Sequence, residues 1–388
     1  MRRSHLLTAA AALACALAPV AVYTAGAASE PGEAPAAAPG PAAAPPAAPP
    51  APGARKVIVD ADMGELNDDA ATLFMLAKDR GVHVLGVTTV SGNTWVEAGT
   101  AYSLRQLELI GRGDVPVVPG AGEPLFAWRQ SRLPGQDALY GKSPYGGAFD
   151  TKRPPSYLKL PKPPYGGYPK ARPGNGAAAD FIVDQVRRHP GQVTVFAIGP
   201  ATNLALAVRT HPEIVPMIKE VVYMGGAFDE PGNTTPAAEF NWWFDPESAK
   251  IALRTPFRKQ TIVPNEAAMK VLYTKARYDR IVAGPQTPIK KMFKDLHGPE
   301  FARNPRYTTP VWDSLTAAVF LDPGVIKRAE ERYVDVDATE GPNYGRAMGY
   351  GTREFAAPRN PAGTRRATIV FEVDQERFWN LYVDRMTR

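Results

Sequence analysis

Apolar positions recur along this chain in two alternating rhythms. Lys56-Val57-Ile58-Val59 is a short β-branched run that stops at Asp60. Ala70, Leu73, Phe74 and Ala77 then return at the spacing of one helix face. Val82 to Thr89 reads as a second buried strand, followed by a helix carrying Leu104, Leu107 and Ile110. Val115-Pro116-Val117-Val118 is a third strand, closed by the turn Pro119-Gly120. Pro116 cannot donate to a ladder, so this strand should be irregular or lie at an edge. Val193 to Ile198, Val221 to Met224 and Gln260 to Val263 supply further strands, and a helix follows from Asn203. This order predicts an α/β fold: an open, mostly parallel sheet with helices on both faces. Ligands of such sheets bind outside the carboxyl ends of the strands, and most of the polar residues considered below follow strand runs.

Two stretches break the rhythm. Residues 133–176 hold many Pro, Gly and Tyr residues and little periodicity. A loop-rich insertion of this length is usually functional or disordered. Tyr140, Tyr145, Tyr165 and Tyr168 suit either a lid over a pocket or a surface excursion. The N-terminus is the second. Arg2-Arg3, an apolar run from Leu6 to Val22 and the small-residue site Ala25-Gly26-Ala27 read as a secretory signal peptide over residues 1–28. Residues 29–53 are nearly all Pro, Ala, Gly and Glu, a composition that cannot build a core and should be a disordered, semi-rigid linker. The body is then one large domain over 54–388, in a protein secreted or held in the cell envelope, with no membrane span in the mature chain.

Composition narrows the chemistry. Of 388 residues, 44% are hydrophobic and 22% charged, which is globular. The formal charge of +6 comes with no Lys/Arg run clustered with aromatics, so nucleic acid is not an expected partner. The single cysteine, Cys15, would leave with the signal peptide, which excludes a disulfide scaffold and a Cys-based zinc site.

One segment stands apart: Asp60-Ala61-Asp62-Met63-Gly64-Glu65-Leu66-Asn67-Asp68-Asp69. Such crowding of carboxylates is costly unless a cation neutralises it. Oxygen donors without Cys or His favour Ca²⁺ or Mg²⁺ over zinc. One of Asp68 and Asp69 could instead serve as the cap of the helix that begins there.

Asp60-x-Asp62, Gly64 and Asp68-Asp69 after the first strand resemble the hallmark of the nucleoside hydrolases, with the longer gap from Asp62 to Asp69 known in that family. The resemblance runs on through Gly92-Asn93, Gly199-Pro200-Ala201-Thr202-Asn203, Met224-Gly225-Gly226, Gly232-Asn233, Glu239-Phe240-Asn241, Trp312-Asp313 and Glu372-Val373-Asp374, and so covers essentially all of 54–388. It implies a Rossmann-like fold and hydrolysis of the N-glycosidic bond of ribonucleosides. It implies a Ca²⁺ held by Asp62, Asp69, Asp313 and the backbone carbonyl of Ile198, with Asp62 as general base. It places Asp68, Asn93, Asn233, Glu239 and Asn241 on the ribose hydroxyls and Met224 under the sugar. Thr202 and Asn203 read more simply as a helix cap and Asp245-Pro246-Glu247 as a helix start, whereas Glu239 and Asn241 have no evident structural duty.

Many members carry a histidine before the last calcium aspartate, as the acid for the leaving base. Here that position is Trp312, as in the members that prefer purine nucleosides and stack the base between aromatic rings. Trp312 is therefore a base-binding candidate, with Trp128 a second, and Trp95, Trp242 and Trp243 read as core. Val263-Pro264-Asn265-Glu266 departs from the family at Asn265, where many members have aspartate, and its role stays open. His83, His189, His211 and His297 read as surface or cap residues. A non-catalytic nucleoside-binding protein on the same fold is a second reading, against which the intact set Asp62, Asp69 and Asp313 argues. A Mg²⁺-dependent phosphatase using Asp60 or Asp62 is a third, and it leaves Asn233, Glu239 and Asn241 unused. Homo-oligomerisation is left open.

Overall fold

The computed structural model describes residues 48–352 and 360–387. The signal-peptide segment 1–28 and most of the linker 29–53 lie outside the described residues. Eleven strands are described: β1 (Arg55–Ala61), β2 (Val82–Thr89), β3 (Val117–Pro119), β4 (Val193–Ala197), β5 (Ile218–Met224), β6 (Gln260–Val263), β7 (Leu272–Thr274), β8 (Thr308–Pro310), β9 (Ile326–Val336), β10 (Ala347–Gly351) and β11 (Arg365–Val373). Nine form one sheet in the order β10-β9-β11-β6-β5-β4-β1-β2-β3, and β7 pairs with β8 separately. The run from β3 to β11 is parallel, while β9 and β10 add antiparallel pairs at the other edge. β3 is an edge strand, as its proline requires, and the carbonyl of Pro116 still accepts from the Val87 amide at 2.9 Å.

The period-two alternation of buried strands splits the interior into two layers. Val57, Val59 and Ala61 of β1 face one core, with Phe196, Val222 and the helices Asp68–Ala77, Ser314–Leu321 and Gln375–Thr387. Ile58 faces the other, with Val195, Val221 and the helices Ala178–Arg188, Thr202–Thr210 and Pro246–Arg254. Strand order reverses between β1 and β4, the switch point where a crevice opens at the carboxyl ends of doubly wound sheets. Asp62 and Ile198 each lie one residue beyond those two strands.

The insertion 133–176 is tied to the body. Glu65 accepts from the amide of Tyr165, and Arg105 donates to the carbonyl of Gly166 at 2.9 Å. The amide of Ala148 donates to Gly92 at 2.8 Å, and the indole of Trp95 to the carbonyl of Thr151 at 3.0 Å. Among the described residues no helix is long and apolar enough to cross a membrane.

Candidate active site

The acidic loop turns sharply before its helix. Leu66 sits in the left-handed region at φ 56°, a conformation that costs a non-glycine residue on the order of 1–3 kcal/mol. Its buried side chain and a 3.1 Å contact between its carbonyl and Nε2 of His297 hold it there. The ring of His297 lies along Phe293, and this residue, which closes the helix Pro288–Leu296 at its cap position, braces the loop. Asn67 caps the helix, its Oδ1 accepting from the Ala70 amide. Neither aspartate is needed as the cap, which leaves Asp68 and Asp69 available.

The five acids of the segment divide by environment. Asp60 accepts from Thr88 at 2.6 Å and Asn203 at 2.7 Å, and burial pushes its pKa up to about 6. Its Oδ1 is thus a buried brace between β1, β2 and the helix after β4, while its Oδ2 is buried without a partner. Glu65 holds the insertion. Asp62, Asp68 and Asp69 remain, and Asp313 joins them from the start of the helix Ser314–Leu321. Asp68 makes that junction: its Oδ2 accepts from the amides of Trp312 at 3.3 Å and Asp313 at 3.2 Å.

Carboxylate oxygens of Asp68, Asp69 and Asp313 lie within 4.8 Å of one another. Oδ1 of Asp62, Asp69 and Asp313 are all buried without a hydrogen-bond partner. Burial lifts Asp62 to about 7, and burial with neighbouring carboxylate charge lifts Asp69 and Asp313 well above the ordinary range. Orphaned acceptors in a buried, mutually repelling group are what a hard divalent cation satisfies. The residues present fit a metal. Asp69 and Asp313 are both closely grouped and unpartnered; Asp68 lies close to them, and Asp62 has an unpartnered oxygen.

Backbone glycines let Asp62 sit where it does. A Cβ on Gly92 would lie 2.1 Å from its Oδ2, and one on Gly199 would lie 2.7 Å from its Oδ1. The loops after β2 and β4 therefore close on the carboxylate as no bulkier residue could. The amide of Asn93 donates to Oδ2 of Asp62 at 2.5 Å, and its Nδ2 lies 3.4 Å from Asp69.

The other expected sugar-binding residues carry structural duties as well. Glu239 caps the helix Phe240–Phe244, accepting from the amides of Asn241, Trp242 and Gly226. Asn241 donates to the carbonyls of Ile198 at 2.8 Å and Met224 at 3.2 Å, and so locks the ends of β4 and β5 together. Both residues thus have the structural role that the sequence did not suggest. The Ile198 carbonyl has a second lone pair for a cation. Asn233 is exposed and accepts from the Phe240 amide at 2.9 Å.

Thr202 and Asn203 are not caps. Thr202 donates to Asp245, and Asn203 cross-links Asp60, Thr89 and the Ala121 amide. Asp245 is a cap, accepting from the Ser248 amide at 3.1 Å. Trp128 is 71% exposed and packs edge-on against Phe126, so the structure does not bring it to the carboxylates as a second base-binding ring. Trp95, Trp242 and Trp243 are buried as expected. Tyr145, singled out only as one of four tyrosines, reaches the site: its hydroxyl donates to Oδ1 of Asn93 at 2.9 Å and its ring lies 5.2 Å from Phe240. Burial and the charges of Asp62, Asp68 and Asp69 raise its pKa, so it is a donor at neutral pH.

Known proteins resemble this chain in sequence and in fold. The family model "Inosine-uridine preferring nucleoside hydrolase" matches residues 57–380. An uncharacterized protein of Schizosaccharomyces pombe is 40% identical over 200 residues, which is 51% of this chain and 57% of that protein. The pyrimidine-specific ribonucleoside hydrolase RihB of Escherichia coli is 30% identical over 336 residues, 84% of this chain and 95% of its own. The solved structure of the plant nucleoside hydrolase PpNRh1 has the same fold, with a TM-score of 0.71, 24% identity and coverage of 86% of this chain and 99% of that one. The match across the whole α/β body, with the acidic loop at its switch point, makes this chain a member of the nucleoside hydrolase family, an N-glycosyl hydrolase.

Proposed function

We propose that the protein is a Ca²⁺-dependent ribonucleoside hydrolase that cleaves purine nucleosides faster than pyrimidine ones, and that it works outside the cytoplasm. The observation that carries the reading is the convergence of unpartnered oxygens from Asp62, Asp69 and Asp313 at the switch point of the sheet. Asp69 and Asp313, with Asp62, Asp68 and the Ile198 carbonyl around them, are the residues that would hold the cation. When bound, the cation neutralises the carboxylates and supplies Lewis acidity toward water and the ribose diol.

The chain's own groups do the rest. The Asn93 amide fixes one oxygen of Asp62, so the carboxylate is aimed rather than mobile, and beside its contact with the cation it takes the proton of the attacking water. Carboxylates close to the sugar favour the positive charge that develops as the glycosidic bond stretches. Asn93, Asn233 and the free Oδ1 of Asn241 present amides to the ribose hydroxyls. Met224, at the end of β5, offers an apolar floor. Trp312 is the ring for the base: its amide is fixed by Asp68 and its side chain is half-buried. A flat purine gains more from such a surface than a single-ring pyrimidine does.

The identity to RihB, whose name specifies pyrimidines, supports a second reading in which the same site prefers uridine or cytidine. A nucleoside panel separates the two. The protein is incubated with inosine, guanosine, adenosine, uridine and cytidine, with and without chelator, and free base is measured by chromatography. The reading requires faster release of purines and loss of all activity on chelation. Faster release of uracil, or full activity after exhaustive chelation, overturns the corresponding half.

A further inference from the structure

Asn265 follows β6 and lies almost wholly buried at the start of a short helix, Asn265–Ala268. Its side chain makes two hydrogen bonds, each to a different part of the site. Oδ1 accepts from the indole Nε1 of Trp312 at 3.1 Å, and Nδ2 donates to the carbonyl of Pro231 at 3.3 Å. Its own amide donates to the carbonyl of Gly226 at 2.8 Å. Pro231 stands two residues before Asn233, and Gly226 donates to Glu239. Asn265 is therefore joined at once to the ring proposed to face the base and to the loop that carries the ribose-facing Asn233.

We propose that Asn265 is a positioning residue that sets the orientation of the Trp312 ring, and through it the preference among bases; this rests on Trp312 being the base-facing ring. Two anchors define that ring. Asp68 fixes the backbone of Trp312, which leaves two rotatable side-chain torsions. The indole has a single polar atom and it is a donor. Among the described residues Asn265 is its one hydrogen-bond acceptor, so this contact selects one ring orientation over its flip. Asn265 is itself held by the Pro231 carbonyl, which dictates which end of the amide faces the indole: the nitrogen must face the carbonyl and the oxygen the N–H. A carboxylate at 265 would keep the acceptor and lose the donor. An apolar residue would lose both and leave the indole N–H unpaired against a half-buried surface.

The test combines kinetics with fluorescence on the full chain. The measured quantity is kcat/KM for inosine divided by kcat/KM for uridine, in wild type, Asn265→Ala, Asn265→Asp, Trp312→Phe and the double variant Asn265→Ala/Trp312→Phe. Asn265→Leu, which keeps the branched shape of asparagine without its polar atoms, replaces Asn265→Ala should the latter fail to fold. Asn265→Ala should lower the ratio about fivefold, the scale of one neutral hydrogen bond. Asn265→Asp should hold the ratio within about twofold while lowering both rates, because the acceptor survives. The double variant should lower the ratio no further than Trp312→Phe alone, since the two residues act as one unit. Tryptophan emission supplies a readout apart from turnover: Asn265→Ala should shift it in wild type and leave it unmoved in the Trp312→Phe background. A ratio unchanged by Asn265→Ala, additive losses in the double variant, or an emission shift that persists without Trp312 would each overturn the proposal and leave the base-facing role of Trp312 standing. If Trp312→Phe does not move the ratio, that role fails and the proposal fails with it.

Discussion

Chelation should expose a pH dependence of stability that a bound cation conceals. Without the cation, burial lifts Asp62 from 3.8 to about 7, and Asp69 and Asp313 are lifted well above the carboxylate range. Each binds its proton more tightly in the folded state than in the unfolded one. Folding is therefore favoured while these carboxyls are neutral, and stability falls as pH rises from near 4 through the folded pKa. Between pH 5 and 7, Asp62 alone spans about two units, or about 3 kcal/mol at 1.4 kcal/mol per unit. It is fully buried, so solvent screening does not reduce this. For a domain of this size, that corresponds to a fall in Tm of about 5 °C. Asp60 and Glu239 are also lifted, to about 6 and about 7, but they are braced by hydrogen bonds and stand in both states. Their contribution cancels when the chelated and the Ca²⁺-loaded proteins are compared. The assay is scanning calorimetry at pH 5.0 and 7.5, with EDTA and with Ca²⁺. The chelated protein should lose about 5 °C more across that interval than the loaded one. Parallel pH profiles, or a chelated protein that gains stability as pH rises, would refute the assignment of these carboxylates to a cation.

Three substitutions probe the rest of the site. Asp62→Asn keeps the size of the side chain and removes its basicity, so kcat should fall by about 10²-fold or more with KM for inosine little changed, measured by steady-state kinetics. Gly92→Ala places a Cβ 2.1 Å from Oδ2 of Asp62; activity should fall as far as in Asp62→Asn, with a stability loss of about 1–3 kcal/mol in denaturant unfolding, and a fully active variant would mean that the loop yields freely. Tyr145→Phe deletes the hydroxyl that holds Asn93 and nothing else; KM should rise about fivefold with Tm unchanged, and unaltered kinetics would mark Tyr145 as a bystander on the rim.

The layered α/β architecture was legible in the chain because its parallel strands are buried on both faces and appear as unbroken apolar runs. β9 was not: Ile326–Val336 is an edge-side strand with charged residues throughout, and no simple rhythm distinguishes it from a loop. The acidic loop was legible because crowded carboxylates need a reason to coexist, and local chemistry supplies one. What local chemistry could not do was sort them. Asp60 and Asp62 are two residues apart and each keeps one unpartnered oxygen, yet Asp60 braces the sheet while Asp62 lies beside Asp69, because only packing decides which meets Thr88 and Asn203. Asn67 took the cap that either aspartate could have taken. Glu239 and Asn241 looked free of structural duty because their partners, Gly226, Ile198 and Met224, lie at or just past the ends of strands earlier in the chain. The roles of Tyr145 and Asn265 were beyond the sequence for the same reason. Each acts through one hydrogen bond to a residue 47 or more positions away. Residue type and spacing determine which groups can take part in chemistry; only the folded chain determines which polar atoms are already satisfied, and therefore which remain to meet a cation, a sugar or a base.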